Sequence, residues 1–242
     1  FITVPKVGKP PYPTVVMPHG GPHVLETVLY DEWAQMLANN GYLVLQPQYR
    51  GSRNYGLDFY MKAFKDGGEG GYKMQDDKDD GVKALIEAGW ADPDRVAFWG
   101  WSYGGFMSTN CILKGNDIFT TAIAVAPVTS WRFYDTVYTE RYMQTPQENA
   151  SGYDDNSPIN YADKLKGNYL LVHGTGDDNV HVQNTYRMIN SLIDANKQFD
   201  MFIVPDRAHG IRKGSTMRLN LFTKMTNFVE ENLINTTTEI KG

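Results

Sequence analysis

Apolar runs rich in β-branched residues alternate along the chain with longer stretches of helical period, the pattern of a parallel sheet covered by helices on both faces. The runs TVVMP (14–18) and YLVLQPQ (42–48) predict strands, and LETVLYDEWAQMLANN between them predicts a helix over 25–40 that stops at Gly41. A second helix is expected over roughly 73–88. DPDRVAFWG then reads as a turn and a strand, and the loop FWGWSYGG (98–105) opens the apolar-rich helix FMSTNCILKG. TTAIAVAP (120–127) and NYLLVHG (168–174) predict strands, followed by a helix over 182–195, the strand QFDMFIVP, the loop DRAHG and a last helix over 215–233. Between 128 and 166 the chain is aromatic and rich in Pro, Asn and Asp, too irregular for a plain crossover, and reads as an insertion that shapes a site. With no internal repeat, linker or break in composition, residues 1–242 read as a single α/β domain.

Composition narrows the function classes. A hydrophobic content of 41% is ordinary for a soluble globular protein, and a net charge of -5 with interspersed signs lacks the clustered basic face that nucleic acid requires. No run reaches transmembrane length and no signal peptide stands at Phe1, whose lack of a preceding methionine reads as a cut from something longer. The run MQDDKDD (74–80) reads as a solvated helix face. Neither it nor His19 and His23 has metal-ligand spacing, so no metal and no cofactor is expected. Cys111, the sole cysteine, excludes an intrachain disulfide and reads as a buried, inert thiol, which leaves the compartment open. Sequons at Asn149 and Asn235 are too short to carry weight.

The chemistry concentrates on Gly100-Trp101-Ser102-Tyr103-Gly104, which fits the G-x-S-x-G elbow where a strand turns sharply into a helix with serine at the apex. Side chains at the two flanking positions would collide with neighbouring backbone, hence the glycines. A serine hydroxyl needs a base with a pKa near ~7, and an acid and a histidine should follow in that chain order. Of five histidines, only His209 lies on a loop between the last expected strand and the last helix. His19, His23, His173 and His181 read as structural. The orienting carboxylate belongs on HGTGDDNVH, where spacing leaves Asp177 and Asp178 open, one to hold the imidazole and the other to cap the following helix. For the oxyanion, the Tyr103 amide is one donor, and MPHGGP (17–22), similar to the HGGG-type motif, supplies the second.

GWSYGG, AIAVAPVTSWRFYDTVYTERYM and LLVHGTGDDNVH closely resemble the catalytic domain of the dipeptidyl peptidase IV branch of the prolyl oligopeptidase family of serine peptidases. The resemblance implies an α/β-hydrolase fold with a mostly parallel central sheet, Ser102 as nucleophile, Asp177 as the acid and His209 as base. It also implies a proline-sized S1 pocket of Tyr103, Val128, Trp131, Tyr134, Tyr138, Asn179 and Val180. Three aromatics at roughly helical spacing, Trp131, Tyr134 and Tyr138, suit a flat pyrrolidine ring, although such stripes are more often core. Two departures are visible. His19 stands where that branch has an oxyanion tyrosine, and the first third looks more like the acylaminoacyl peptidase branch, where a backbone amide, here Gly20 or Gly21, does that work. That split suggests divergence or recombination. The family's β-propeller, with the glutamates that anchor a substrate's amino terminus, has no counterpart in these residues. The expectation is a serine hydrolase acting on peptide or small ester substrates after proline or a small apolar residue through an acyl-enzyme. The alternatives are a general carboxylesterase and a non-catalytic scaffold. Relatives dimerise partly through this domain and are often extracytoplasmic; the resemblance admits a homodimer as partner, and the residues leave oligomeric state and compartment open.

Overall fold

The structure, a computed structural model, describes residues 1–64, 69–114 and 118–233. The Asn235 sequon lies outside the described residues. Seven strands form one sheet: β1 (Ile2–Thr3), β2 (Tyr12–Val16), β3 (Leu43–Leu45), β4 (Ala91–Trp101), β5 (Thr121–Val125), β6 (Asn168–Gly174) and β7 (Asp200–Val204). Their order is β1-β3-β2-β4-β5-β6-β7, parallel throughout except for the edge strand β1, which runs antiparallel to β3.

Because successive side chains leave a strand on opposite faces, each central run divides its residues between two cores. Val15, Ala97, Ile123, Leu170 and Val172 face one layer, built on α1 (Glu32–Asn39) and the last helix, Met217–Leu233. Val16, Phe98, Ala122, Ala124 and Leu171 face the other. That layer holds Glu69–Glu87, Tyr103–Lys114 and Gln183–Asp194, which with Leu57–Met61, Thr136–Met143 and Ala150–Asp155 are α2 to α7 in chain order, the last helix being α8. Burial on both faces explains why the strands read as continuous apolar runs.

The chain builds β2 and β3 outward on one side and returns with β4 on the other side of β2. The strand order therefore reverses between β2 and β4, and the loops leaving their carboxyl ends diverge to open a crevice. Those loops are MPHGGP and GWSYGG.

Four expectations need correction. The helix expected over 25–40 begins only at Glu32, because Asp31 caps it by accepting the Ala34 amide at 2.8 Å. Residues before it form an open segment, with Val28 85% and Leu29 79% exposed. MQDDKDD is not a solvated face: Met74, Gln75, Lys78 and Asp79 are buried, and Asp77 pairs with Arg50 through two oxygens. Trp131, Tyr134 and Tyr138, expected at roughly helical spacing, do not share one helix. Trp131 sits in a 3₁₀ turn capped by Ser130, and Tyr138 sits in α5, restarted by Asp135. Finally, no carboxylate caps α7, whose first turn follows Val182 without a side-chain cap, and Asp178 is exposed.

Candidate active site

The elbow is built by steric exclusion. A Cβ on Gly100 would overlap the Gly104 carbonyl, and one on Gly104 would lie 2.9 Å from the Pro18 carbonyl, so the strand can turn into α4 only with glycine at both places. Ser102, between them, has φ 60°, a left-handed conformation rare for a side chain with a Cβ, and remains half-buried. Its amide is tied to the Val125 carbonyl at 2.9 Å and its carbonyl accepts Phe106 N–H at 2.9 Å, which locks the strained residue between sheet and helix.

The β2 loop lies directly over this turn. A Cβ on Gly20 would sit 3.6 Å from Ser102 Cβ and 3.9 Å from Tyr103 N. Tyr103 is the first residue of α4, so its N–H has no intrahelical acceptor, and neither it nor the amides of Gly20 and Gly21 meets a protein acceptor among the described residues. The Tyr103, Gly20 and Gly21 amides are therefore left as donors without a protein acceptor among the described residues. His19 does not face them. Its ring stacks on Tyr49 at 4.4 Å and its Nδ1 lies 2.7 Å from the Gly20 carbonyl, with Nε2 2.8 Å from Ser52 Oγ. Burial outweighs the bond to Gly20, and with the nearby Lys78 charge it brings the His19 imidazole down to about 4, so this residue braces the loop from behind as a neutral ring.

The β6 and β7 loops bring together Asp177 and His209, the residues expected from the sequence as acid and base. His209 Nδ1 lies 2.8 Å from Asp177 Oδ2, which selects the tautomer that leaves Nε2 free as an acceptor. Asp177 Oδ1 accepts the amides of Asn179 and Val180, each at 2.9 Å. Burial alone would raise this carboxyl. Hydrogen bonds from His173, His209 and the Asn179 amide outweigh it and hold Asp177 well below the usual carboxylate range. The two loops are locked together by Gly176 N–H to the Arg207 carbonyl at 3.1 Å and Asp206 N–H to Thr175 Oγ1 at 2.9 Å.

What joins this pair to the elbow is Trp101, whose indole N–H donates to the His209 carbonyl at 2.9 Å. Among the described residues no hydrogen bond links Ser102 Oγ to His209. Catalytic hydrogen bonds often tighten only when substrate is bound.

His173 is the residue sequence reasoning passed over. Fully buried, it places Nε2 3.2 Å from Asp177 Oδ2 and 2.8 Å from the Val180 carbonyl, while Nδ1 meets Thr185 Oγ1 at 2.7 Å. Its position four residues before Asp177 was the available signal.

An aromatic pocket opens beside Tyr103. Trp131 and Tyr138 lie nearly parallel at 6.0 Å, and Tyr134 meets Tyr138 edge-on at 5.0 Å. Tyr138 donates to the Gly21 carbonyl at 3.3 Å, and Tyr134 to Asn179 Oδ1 at 2.7 Å. Val128 and Val180 are buried in the same cluster. Pro22, Phe106 and Tyr142 also line the pocket and were not anticipated; Tyr142, four residues after Tyr138, shares its helix face.

The sequence profile of the prolyl oligopeptidase family matches residues 29–236. The mouse protein described as prolyl endopeptidase FAP is 34% identical over 91% of this chain and 29% of its own length. A probable dipeptidyl-aminopeptidase B of Aspergillus terreus is 40% identical over 83% of this chain and 22% of its own length. Among solved structures, dipeptidyl peptidase 4 of Porphyromonas gingivalis superposes with a TM-score of 0.89 at 39% identity, covering 96% of this chain and 33% of that one. An acylaminoacyl peptidase superposes at 0.87 with 25% identity, covering 100% of this chain and 40% of that one. The fold is the α/β-hydrolase fold, and the chain spans less than a third of the curated relatives it matches.

Proposed function

The chain belongs to the prolyl oligopeptidase family, and on that premise we propose that it is a serine peptidase working through an acyl-enzyme, with proline or a small apolar residue at P1. Ser102 Oγ attacks the carbonyl as His209 Nε2 takes its proton, while Asp177 keeps the imidazole in the required tautomer. The Tyr103 amide, with that of Gly20 or Gly21, receives the oxyanion at the positive end of α4. His209 then returns the proton to the leaving amine, and water repeats the sequence on the ester. The observation that carries this reading is the Asp177–His209 pair anchored to the elbow through Trp101.

The aromatic pocket supports the P1 assignment, since stacked and edge-on rings bind a flat apolar ring by shape and dispersion. The matched relatives are described as a prolyl endopeptidase and dipeptidyl peptidases, which favours the same choice. A short chromogenic amide such as Gly-Pro-p-nitroanilide is expected to be a better substrate than long peptides.

A fluorophosphonate probe should label the chain, and Ser102→Ala should remove both the label and turnover, with kcat falling by at least ~10³. Labelling that survives Ser102→Ala, or an unlabelled wild type, overturns the reading. Short-chain ester hydrolysis without Gly-Pro amide hydrolysis would point instead to a carboxylesterase.

A further inference from the structure

A second cavity opens beside Trp101 and His209, on the other face of the sheet from the aromatic pocket. It measures about 360 Å³, and Trp101, His209, Ile211, Arg212, Arg218 and Phe222 are among the residues that form its wall. The aromatic pocket belongs to the core on the α3 and α4 face of the sheet, whereas Trp101, Ile211 and Phe222 belong to the core on the α1 and α8 face. Two cavities of different chemistry therefore lie on opposite faces of the sheet, one beside Tyr103 and the other beside His209. One is aromatic; the other has an apolar floor and two guanidinium groups.

Arg212 is held close to the base. Its Cγ, Cδ and Nε would each lie 3.5 Å from a Cβ on Gly210, so the side chain folds back along the backbone next to His209. It has no acidic partner among the described residues. Arg218 packs 5.4 Å from the Phe222 ring and approaches Glu32 at 3.5 Å, an exposed pair that a competing carboxylate can displace at little expense. Arg207 is already engaged by the carbonyls of Lys213 and Pro205 and is not available.

Resting on the proposed reaction, we infer that this second cavity receives the leaving-group side of the substrate and that Arg212 and Arg218 select a carboxylate there. The reason is mechanistic: His209 protonates the departing amine, so the segment beyond that amine extends past His209, away from the ring pocket that holds the acyl part. A guanidinium matches a carboxylate in shape and charge. The carboxylate has two sources, an acidic side chain just after the cleaved bond or the free C-terminus of a short peptide.

Three substrates with one acyl part separate them: Gly-Pro-Asn-amide, Gly-Pro-Asp-amide and Gly-Pro-Asn with a free C-terminus, compared by kcat/KM. At least one charged substrate should exceed the neutral amide by roughly two- to fivefold, the range for solvent-exposed ion pairs, and which one does so identifies the source. The ratio should fall toward one in ~1 M salt, where the screening length is about 3 Å, and in Arg212→Gln/Arg218→Gln. The salt series on wild type serves alone if the double variant does not fold. Equal kcat/KM for all three in wild type at low salt overturns the inference. Absence of turnover on Gly-Pro-p-nitroanilide, whose leaving group carries no carboxylate, overturns the underlying reaction instead, so the two failures are distinguishable.

Discussion

At the scale of single residues, the site depends on groups that touch no substrate. Gly100 is one. Gly100→Ala forces the new methyl into the Gly104 carbonyl, and since a Cβ has no rotatable bond of its own and its neighbour is backbone, neither can yield without opening the elbow. The expected loss is about 3 kcal/mol of stability with activity abolished, measured by denaturant titration alongside probe labelling. His173 is another. His173→Ala removes one donor from Asp177, making the carboxylate a stronger acceptor for His209. The expected result is a fall in kcat of about tenfold or more with KM little changed, and an acid limb of kcat/KM displaced to higher pH, partly rescued by His173→Gln. Ser102, Asp177 and His209, the residues of the proposed reaction, could be named together because elbow, acid and base occur in a required order. His173 was not, because a histidine ending a strand reads as core until the turn that brings Asp177 back over it is known.

At the scale of elements, α3 carries a buried cation. Lys78 is wholly inside, its Nζ donating to the Met74 carbonyl at 2.7 Å and lying 3.6 Å from the Tyr49 ring centre. Burial brings its amine down from 10.5 to about 7, against the partial support of nearby Asp77 and Asp79. Between about pH 7 and 10 the unfolded chain then holds a proton that the folded chain has released, so stability should rise with pH across that window. Lys78→Met should raise stability at pH 7 and flatten the slope, as urea titrations at stepped pH would show; an unchanged slope would count against the depressed amine. The period of α3 was readable, but its polar run was misread, because charge density predicts exposure only on a helix with a free face, and α3 packs against β4 and α4 with Lys78 beneath the Tyr49 ring. The start of α1 was misplaced for a local reason, the Asp31 cap, which outranks the apolar residues preceding it.

At the scale of the whole molecule, we propose that residues 1–242 form one catalytic domain. Calorimetry should then show one cooperative transition with equal calorimetric and van't Hoff enthalpies, and two resolved transitions would contradict it. Alternating apolar and helical segments established the layered sheet, because burial on both faces imposes continuous apolar strands that no loop can mimic. The G-x-S-x-G elbow was likewise set locally, by glycines two residues to either side of the serine. The meeting of that elbow with the loops after β2, β6 and β7 was decided only by tertiary structure. Trp101 and His209 are 108 residues apart, and their bond depends on where the strand order reverses and on how two later loops lock together. Local chemistry names the groups that can react; the order of strands, which arises from long-range pairing and has no short-range code, decides which of them face one another across the crevice and which, like His19 and His173, stand behind.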